Sequence, residues 1–193
     1  MIPIKGYATF HPLKHCWIGS SFKTEWFSDL SIYKNKKIMD PLKRIADETE
    51  EDYQTLEKIL KDAGVKTHRS WLDIDKVGSL KNIFRPPVNP RDHFAVIGEK
   101  IYAVSGGSEG YADVLKQIDR NNLVIEHTAG IMSTATIARL GKDLYWDIAK
   151  GTDEGIIEKY KTKWQDEGFR VHTSHRGYHS DGAFCLVKPG CIV

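Results

Sequence analysis

Two short stretches of this chain gather residues able to handle a cation and move protons. In Arg85-Pro86-Pro87-Val88-Asn89-Pro90-Arg91-Asp92-His93, the last residues run straight into the apolar Phe94-Ala95-Val96-Ile97. Pro90 stiffens the approach to Arg91-Asp92. A carboxylate fixed where loop becomes strand can hold a cation bidentately. An Arg–Asp surface pair is the plainer reading of the same spacing. The second stretch is Tyr178-His179-Ser180-Asp181-Gly182-Ala183-Phe184. His179 and Asp181 stand two residues apart, so in extended chain both side chains point to one face. A histidine beside a carboxylate serves as a general acid/base near neutral pH. A hydrogen-bonded loop histidine competes with that reading. Both stretches lead directly into a hairpin pattern, which favours function for the pair.

Other reactive residues are less well placed. His172, His175 and His179 lie within eight residues, and His11 and His15 form a second pair. His172 and His175 read as a strand and its following turn, where their spacing does not converge, so no metal centre is expected. Ser105-Gly106-Gly107-Ser108 could hold an anion at a helix start. It lacks the Lys-Ser/Thr of a phosphate loop and reads as a linker. The cysteines are Cys16, Cys185 and Cys191. Cys16 and Cys185 sit among strand residues and are expected to face the core. None has an evident neighbouring cation or helix N-terminus to make it a thiolate nucleophile.

These residues must be carried by a repeating scaffold. Pro41 to Ala63 reads as a helix, with Asp40 as N-cap, Pro41 in the first helical position and Gly64 after the end. Its apolar residues Leu42, Ile45, Ala46, Tyr53, Leu56, Ile59, Leu60 and Ala63 read as one face. Val65 to His68 reads as a strand. Phe94 to Val104 reads as a hairpin turning at Gly98, followed by a helix from Tyr111 to Asp119 and a strand at Leu123-Val124-Ile125-Glu126. The order returns: a hairpin through Gly141, a helix from Asp153 to Glu167, and a strand from Phe169 to His172. A third hairpin opens at Ala183 and turns at Pro189-Gly190. The turn glycines Gly98, Gly141 and Gly190 lie 43 and 49 residues apart. This is a repeat of architecture rather than of residues. Tyr7 to Ile18, the Pro41 helix and the Val65 strand read as a longer first copy. Trp71 to Pro90 shows little periodicity and reads either as a functional loop or as a surface connection.

Composition narrows the class. The chain has 193 residues, 40% of them hydrophobic and 28% charged, enough for a packed core. Lys plus Arg is 28 and Asp plus Glu is 26, a formal +2, with no basic cluster of the kind nucleic acid needs. No apolar run approaches the roughly 18 residues of a membrane span. The opening residues lack a signal peptide's apolar core. The odd, unpaired cysteines fit a reducing cytoplasm.

Taken together, these motifs resemble the amidinotransferase family of guanidino-group modifying proteins, its glycine amidinotransferase-like members in particular. His179-Ser180-Asp181-Gly182-Ala183-Phe184 with Pro189-Gly190 is similar to the family's His-x-Asp-small-x-Phe stretch and the Pro-Gly after it. Arg91-Asp92 with Val96 to Ile101 is similar to its Pro-Arg-Asp segment and following hairpin. Ala135 to Leu144 is similar to its Ala-Asp-x-x-Arg-x-Gly-Arg-Asp stretch, and Pro12 to Gly19 to its first strand.

The resemblance implies an α/β fold of ββαβ modules in a pseudo-fivefold propeller around a central site. Residues 1–193 would form one domain of about three modules plus a hairpin, lacking the C-terminal modules. In the family a cysteine attacks the guanidinium carbon of arginine, and the amidino group is carried on sulfur and passed to an amine such as glycine. By motif, His179 would be the acid/base, and Asp92 and Asp181 would grip the guanidinium. Two departures stand out. The family's second catalytic aspartate falls at Thr136, and its nucleophilic cysteine lies beyond the stretch matching Val193. The nucleophile is therefore expected from a second chain or from sequence absent here. A guanidine hydrolase and a non-catalytic guanidine-binding module are the alternatives. No cofactor is implied, and the unfinished last hairpin leads us to expect a homo-oligomer or a completing second chain.

Overall fold

The structure, a computed structural model, describes residues 1–8, 10–23, 35–70, 88–104, 111–126, 134–148, 150–175, 185–188 and 191–192. They form two compact units. One comprises Leu13–Pro90 and Gly106–Gln117; the other comprises Met1–Pro12, Arg91–Ser105 and Ile118–Val193.

In the first unit, β1 (His15–Ile18) runs parallel to β2 (Lys66–Arg69), with Cys16 opposite Thr67 and Ile18 opposite Arg69. The crossover between them is α1 (Lys36–Asp62), 27 residues long. The helix begins five residues before the sequence-based expectation. Asn35, not Asp40, is the N-cap, and its side chain accepts a hydrogen bond from the Lys37 amide. Asn caps as well as Asp does, and nothing in Lys36-Lys37-Ile38-Met39 resists helix. Pro41 therefore lies in the second turn and removes the helical bond to the Lys37 carbonyl.

The expected single apolar face of α1 also divides. Ala46 is buried and Tyr53 half-buried, whereas Ile45, Leu56 and Ile59 are exposed. Polar anchors hold the inner face. Ser21 Oγ donates to the Ala46 carbonyl at 2.6 Å, and Tyr53 Oη donates to the Val88 carbonyl at 2.5 Å. Arg69, nearly buried, makes two 2.8 Å bonds to the Glu50 carboxylate and lies 3.8 Å from Glu57. A second described helix of this unit, α2 (Ala112–Leu115), is far shorter than its apolar pattern suggested. Beside it Tyr111 is buried and packs edge-on against Trp17, with centroids 5.3 Å apart.

In the second unit two three-stranded sheets share one plan. β3 (Phe94–Ile97) and β4 (Lys100–Val104) form a hairpin, and β5 (Leu123–Glu126) joins β4 in parallel. β6 (Ile137–Leu140) and β7 (Asp143–Asp147) form the next hairpin, and β8 (Arg170–Ser174) joins β7 in parallel. Gly98 and Gly141 turn the hairpins at φ 59° and 64°, a region open to glycine at no steric cost. The β1–β2 pair repeats the parallel half of this plan. Its expected hairpin partner is not found there: Gly6 and Ala8 instead bridge to Gly98 and Leu140. β9 (Leu186–Lys188) and β10 (Cys191–Ile192) make a short antiparallel pair with an irregular register.

The core lies between the sheets and α3 (Glu154–Asp166), which is N-capped by Asp153, the residue where the expected helix begins. Trp164 on α3 is fully buried, with its ring 5.9 Å from Tyr102 on β4, 5.3 Å from Trp146 on β7 and 5.5 Å from Tyr160. Ala95, Ile97, Ile137, Leu144 and Phe169 complete the cluster.

Across β7 and β8, Asp143 pairs with Arg170 at 2.5 Å and accepts a bond from His172 at 2.9 Å. The Arg170 bond, then that of His172, holds the Asp143 carboxyl down at about 2. A carboxyl depressed in the folded state stabilises the protein above its unfolded value near 3.8 and loses that contribution as pH falls toward 2. Denaturation midpoints at pH 5, 3 and 2 should therefore converge between wild type and Asp143→Asn at the lowest pH.

Candidate active site

Asp92 closes a 3-10 turn, Pro90–Asp92, immediately before β3. Pro90 sets the first turn position, and Asp92 comes out half-buried beside exposed Arg91. A second 3-10 turn, Thr134–Thr136, leads into β6 and packs against β3 and β7. The two hairpins therefore enter from the same kind of turn, and each turn ends on a residue singled out from sequence. Thr136 is buried, at 8% exposure. It can donate or accept a hydrogen bond but carries no charge. His179 and Asp181 lie outside the described residues, as do Ser105 to Ser108 and Trp71 to Pro87.

The sequence reading gave no role to two polar residues, although Arg139 falls on the arginine of the family stretch matched by Ala135 to Leu144. Arg139, three residues after Thr136 on β6, reaches to β3 and donates from Nη1 to the Val96 carbonyl. Burial first, and the nearby Arg91 charge second, bring its guanidinium down to about 10. It ties the two hairpins together near their Gly98 and Gly141 turns, away from the end that carries Asp92 and Thr136. An arginine inside the apolar run Ile137 to Leu140 was the available signal.

Asp147 is the second. Ile137 pairs with Trp146, which sets Asp147 beside Thr136 at the open end of the β6–β7 hairpin. Asp147 is buried, and Ser174 Oγ donates to its Oδ1 at 2.6 Å. A buried carboxylate is retained only where partners hold it. The polar residue closing the apolar strand Leu144-Tyr145-Trp146 was its only mark in sequence.

The cysteines are not arranged as nucleophiles among the described residues. Cys16, on β1, is half-buried, and burial pushes its thiol up, away from thiolate. Cys185 is exposed just before β9, not core-facing as its neighbours suggested. Cys191 is half-buried on β10.

Among the described residues no group of three or more His, Cys, Asp or Glu side chains could hold a metal. His15 is engaged instead with His68 across β1 and β2, the rings stacked and Nδ1 3.0 Å from Nε2. Burial, then the charges of His15 and Lys66, lowers the His68 value. No described helix is long and apolar enough to cross a membrane.

No sequence-family model and no curated protein matches the chain. Solved structures do. The amidinotransferase SxtG from Microseira wollei, of a saxitoxin biosynthetic pathway, aligns over 99% of this chain and 69% of its own, at TM-score 0.71 and 16% identity. An inosamine-phosphate amidinotransferase from Streptomyces griseus aligns over 98% and 68%, also at TM-score 0.71 and 16% identity. A dimethylarginine dimethylaminohydrolase aligns over 94% and 68%, at TM-score 0.62 and 9% identity. The mixed α/β architecture built from repeated hairpins and parallel crossovers is thus similar to the propeller-like fold of these amidinotransferases.

Proposed function

We propose that this chain binds the guanidinium group of a small molecule such as arginine, and that it is the substrate-gripping part of an amidinotransferase-type enzyme. The observation that carries this reading is the fold likeness over 98–99% of the chain to two amidinotransferases, with Asp92 fixed at the mouth of β3. A planar cation offers two N–H groups side by side, and a carboxylate accepts both. Asp92 does this in our reading, and Asp181 supplies the second carboxylate. His179 is the acid/base. Asp147 stands beside Thr136 and provides the negative charge that threonine cannot. Held between carboxylates, the guanidinium carbon is oriented for attack by a thiolate.

In amidino transfer the thiolate adds to that carbon, the amine of ornithine leaves with a proton from the acid, and an amidino thioether remains for an acceptor amine. Cys16, with its thiol pushed up by burial, is unsuited to this role. We assign the nucleophile to sequence outside these 193 residues. A pseudo-fivefold module count and assembly with further copies or a completing chain belong to the same reading.

A second reading, a guanidine-binding module without catalysis, is favoured by one feature: by motif resemblance, buried Thr136 falls where the family has a catalytic aspartate. Both readings predict the same first result. In titration calorimetry arginine should bind, free guanidinium should displace it, and citrulline, similar in shape but uncharged, should bind far more weakly. A folded chain that binds neither arginine nor guanidinium overturns both.

A further inference from the structure

The outer side of α1 carries a second apolar row, most of it exposed, with Leu42 and Thr49 half-buried within it. Ile38, Leu42, Ile45, Thr49, Asp52, Leu56, Ile59 and Ala63 follow one another at steps of four and three along the helix. That spacing is a heptad seam, the pattern that meshes with another helix rather than with a sheet or a flat surface. Single exposed apolar residues are ordinary on protein surfaces. A row that keeps this step over about 38 Å of helix, at 1.5 Å per residue, is not. Ile45 is 50% exposed and Ile59 59% exposed, and Ile38, Leu56 and Ala63 are exposed as well. The neighbouring rows are the ones engaged with the rest of the unit: Glu50 and Glu57 with β2, Tyr53 with Val88 and Ala46 with Ser21. The seam is therefore separate from the face that holds α1 in place.

The order of residues along the seam points to its occupant. Only two of its eight members are polar, and they are the two central ones, Thr49 and Asp52. Laid antiparallel on itself, the seam puts Ile45 opposite Leu56, Leu42 opposite Ile59 and Ile38 opposite Ala63. Every apolar residue then meets an apolar one. Thr49 meets Asp52 twice, which gathers the seam's polar residues at its centre; within its own helix the Thr49 hydroxyl donates to the Ile45 carbonyl at 2.6 Å. On the free flank Pro41 comes beside Asp62 and Glu48 beside Thr55, so no like charges meet there. A parallel pairing would set Asp52 against Asp52 and bring together the two basic ends, with Lys36, Lys37, Lys43 and Arg44 of each helix. Self-complementarity under a two-fold operation is the signature of an isologous contact.

We propose that α1 pairs with α1 of a second copy of this chain as an antiparallel two-helix coiled coil, with the two-fold axis passing between the positions of Glu50 and Glu51. The contact lies in the first unit and owes nothing to guanidine binding, so it stands whether or not arginine binds.

Sedimentation equilibrium of the 193-residue chain tests it. The wild type should be a dimer at tens of micromolar. Ile45→Glu with Leu56→Glu should weaken self-association at least a hundredfold while leaving the far-ultraviolet helix signal unchanged. A monomeric wild type, or a dimer that persists in the double variant, overturns the proposal. Crosslinking fixes the geometry. Chains bearing Ile45→Cys mixed with chains bearing Leu56→Cys should form a disulfide between these two positions under mild oxidation. Peptide mapping separates that product from bonds of Cys16, Cys185 and Cys191. Neither variant alone should crosslink at its new cysteine, because its own copies lie about 16 Å apart along the axis. A disulfide within Ile45→Cys alone would show parallel helices and refute the antiparallel pairing.

Discussion

Trp164→Ala should destabilise the second unit by roughly 3–5 kcal/mol, the usual cost of deleting a large aromatic from a close-packed core. Trp164 has no exposed surface and stacks edge-on or tilted against Tyr102, Tyr160 and Trp146. Through it α3 touches both three-stranded sheets, at Tyr102 on β4 and Trp146 on β7. Its removal leaves a hole lined by three rings that are themselves held in place by strands and helix, so little collapse can fill it. Trp164→Phe should cost far less. Among the described residues the buried Trp164 indole nitrogen has no hydrogen-bond partner, so phenylalanine gives up ring area but no described bond. Guanidinium chloride midpoints for the two variants measure the difference. Equal losses would mean that the indole is held by something other than packing.

Arg69→Ala should cost a similar 3–5 kcal/mol in the first unit, for an electrostatic reason. The Arg69 side chain is 7% exposed and binds Glu50 through two nitrogens, with its ε nitrogen donating to the Gly19 carbonyl and its guanidinium over the Tyr53 ring. Burial alone would raise Glu50. Hydrogen bonds from Arg69, Gln54 and the Ser21 amide, with the Arg69 charge, more than reverse this and hold it below the ordinary carboxylate range. Removing the arginine leaves that carboxylate half-desolvated and unpaired. The wild type should lose stability as pH falls through the ordinary glutamate range, because a depressed folded value stabilises only above it. Arg69→Ala should show a smaller loss over the same range. The double variant Arg69→Met, Glu50→Leu should recover much of the stability, since a buried pair removed whole strands no charge. Urea midpoints between pH 3 and 7 decide the matter.

The parts legible in the sequence were those governed by local rules. Gly98 and Gly141 fix the hairpins, and the strand ranges around them follow to within a residue. Asp153 and Gly168 bound α3 because caps act within one turn. Local rules failed where two good options competed. Asn35 and Asp40 are equally suited to cap α1, and the Pro at position 41 drew the boundary to the wrong one. They failed again on α1's faces, because apolar spacing shows that a helix has a hydrophobic row but not which body covers it. Asp92 and Thr136 were singled out through their motifs, and each ends a 3-10 turn before a strand. The contacts of Asp147 and Arg139 were not legible, since each arises from a partner strand: Asp147 stands across the hairpin from Thr136, and Arg139 reaches the Val96 carbonyl.

The central claim is that Asp92 grips a guanidinium. Arginine titrated by calorimetry into the wild type and into Asp92→Asn tests it most directly. The amide keeps the shape of the side chain and removes its charge and one acceptor. Losing a charged, bidentate partner is worth about 1.5–3 kcal/mol, or roughly ten- to a hundredfold in Kd. Such a loss, in a variant with unchanged thermal stability, is the result predicted here. Arginine affinity unchanged in Asp92→Asn would contradict the account, because the cation would then be held by some other group.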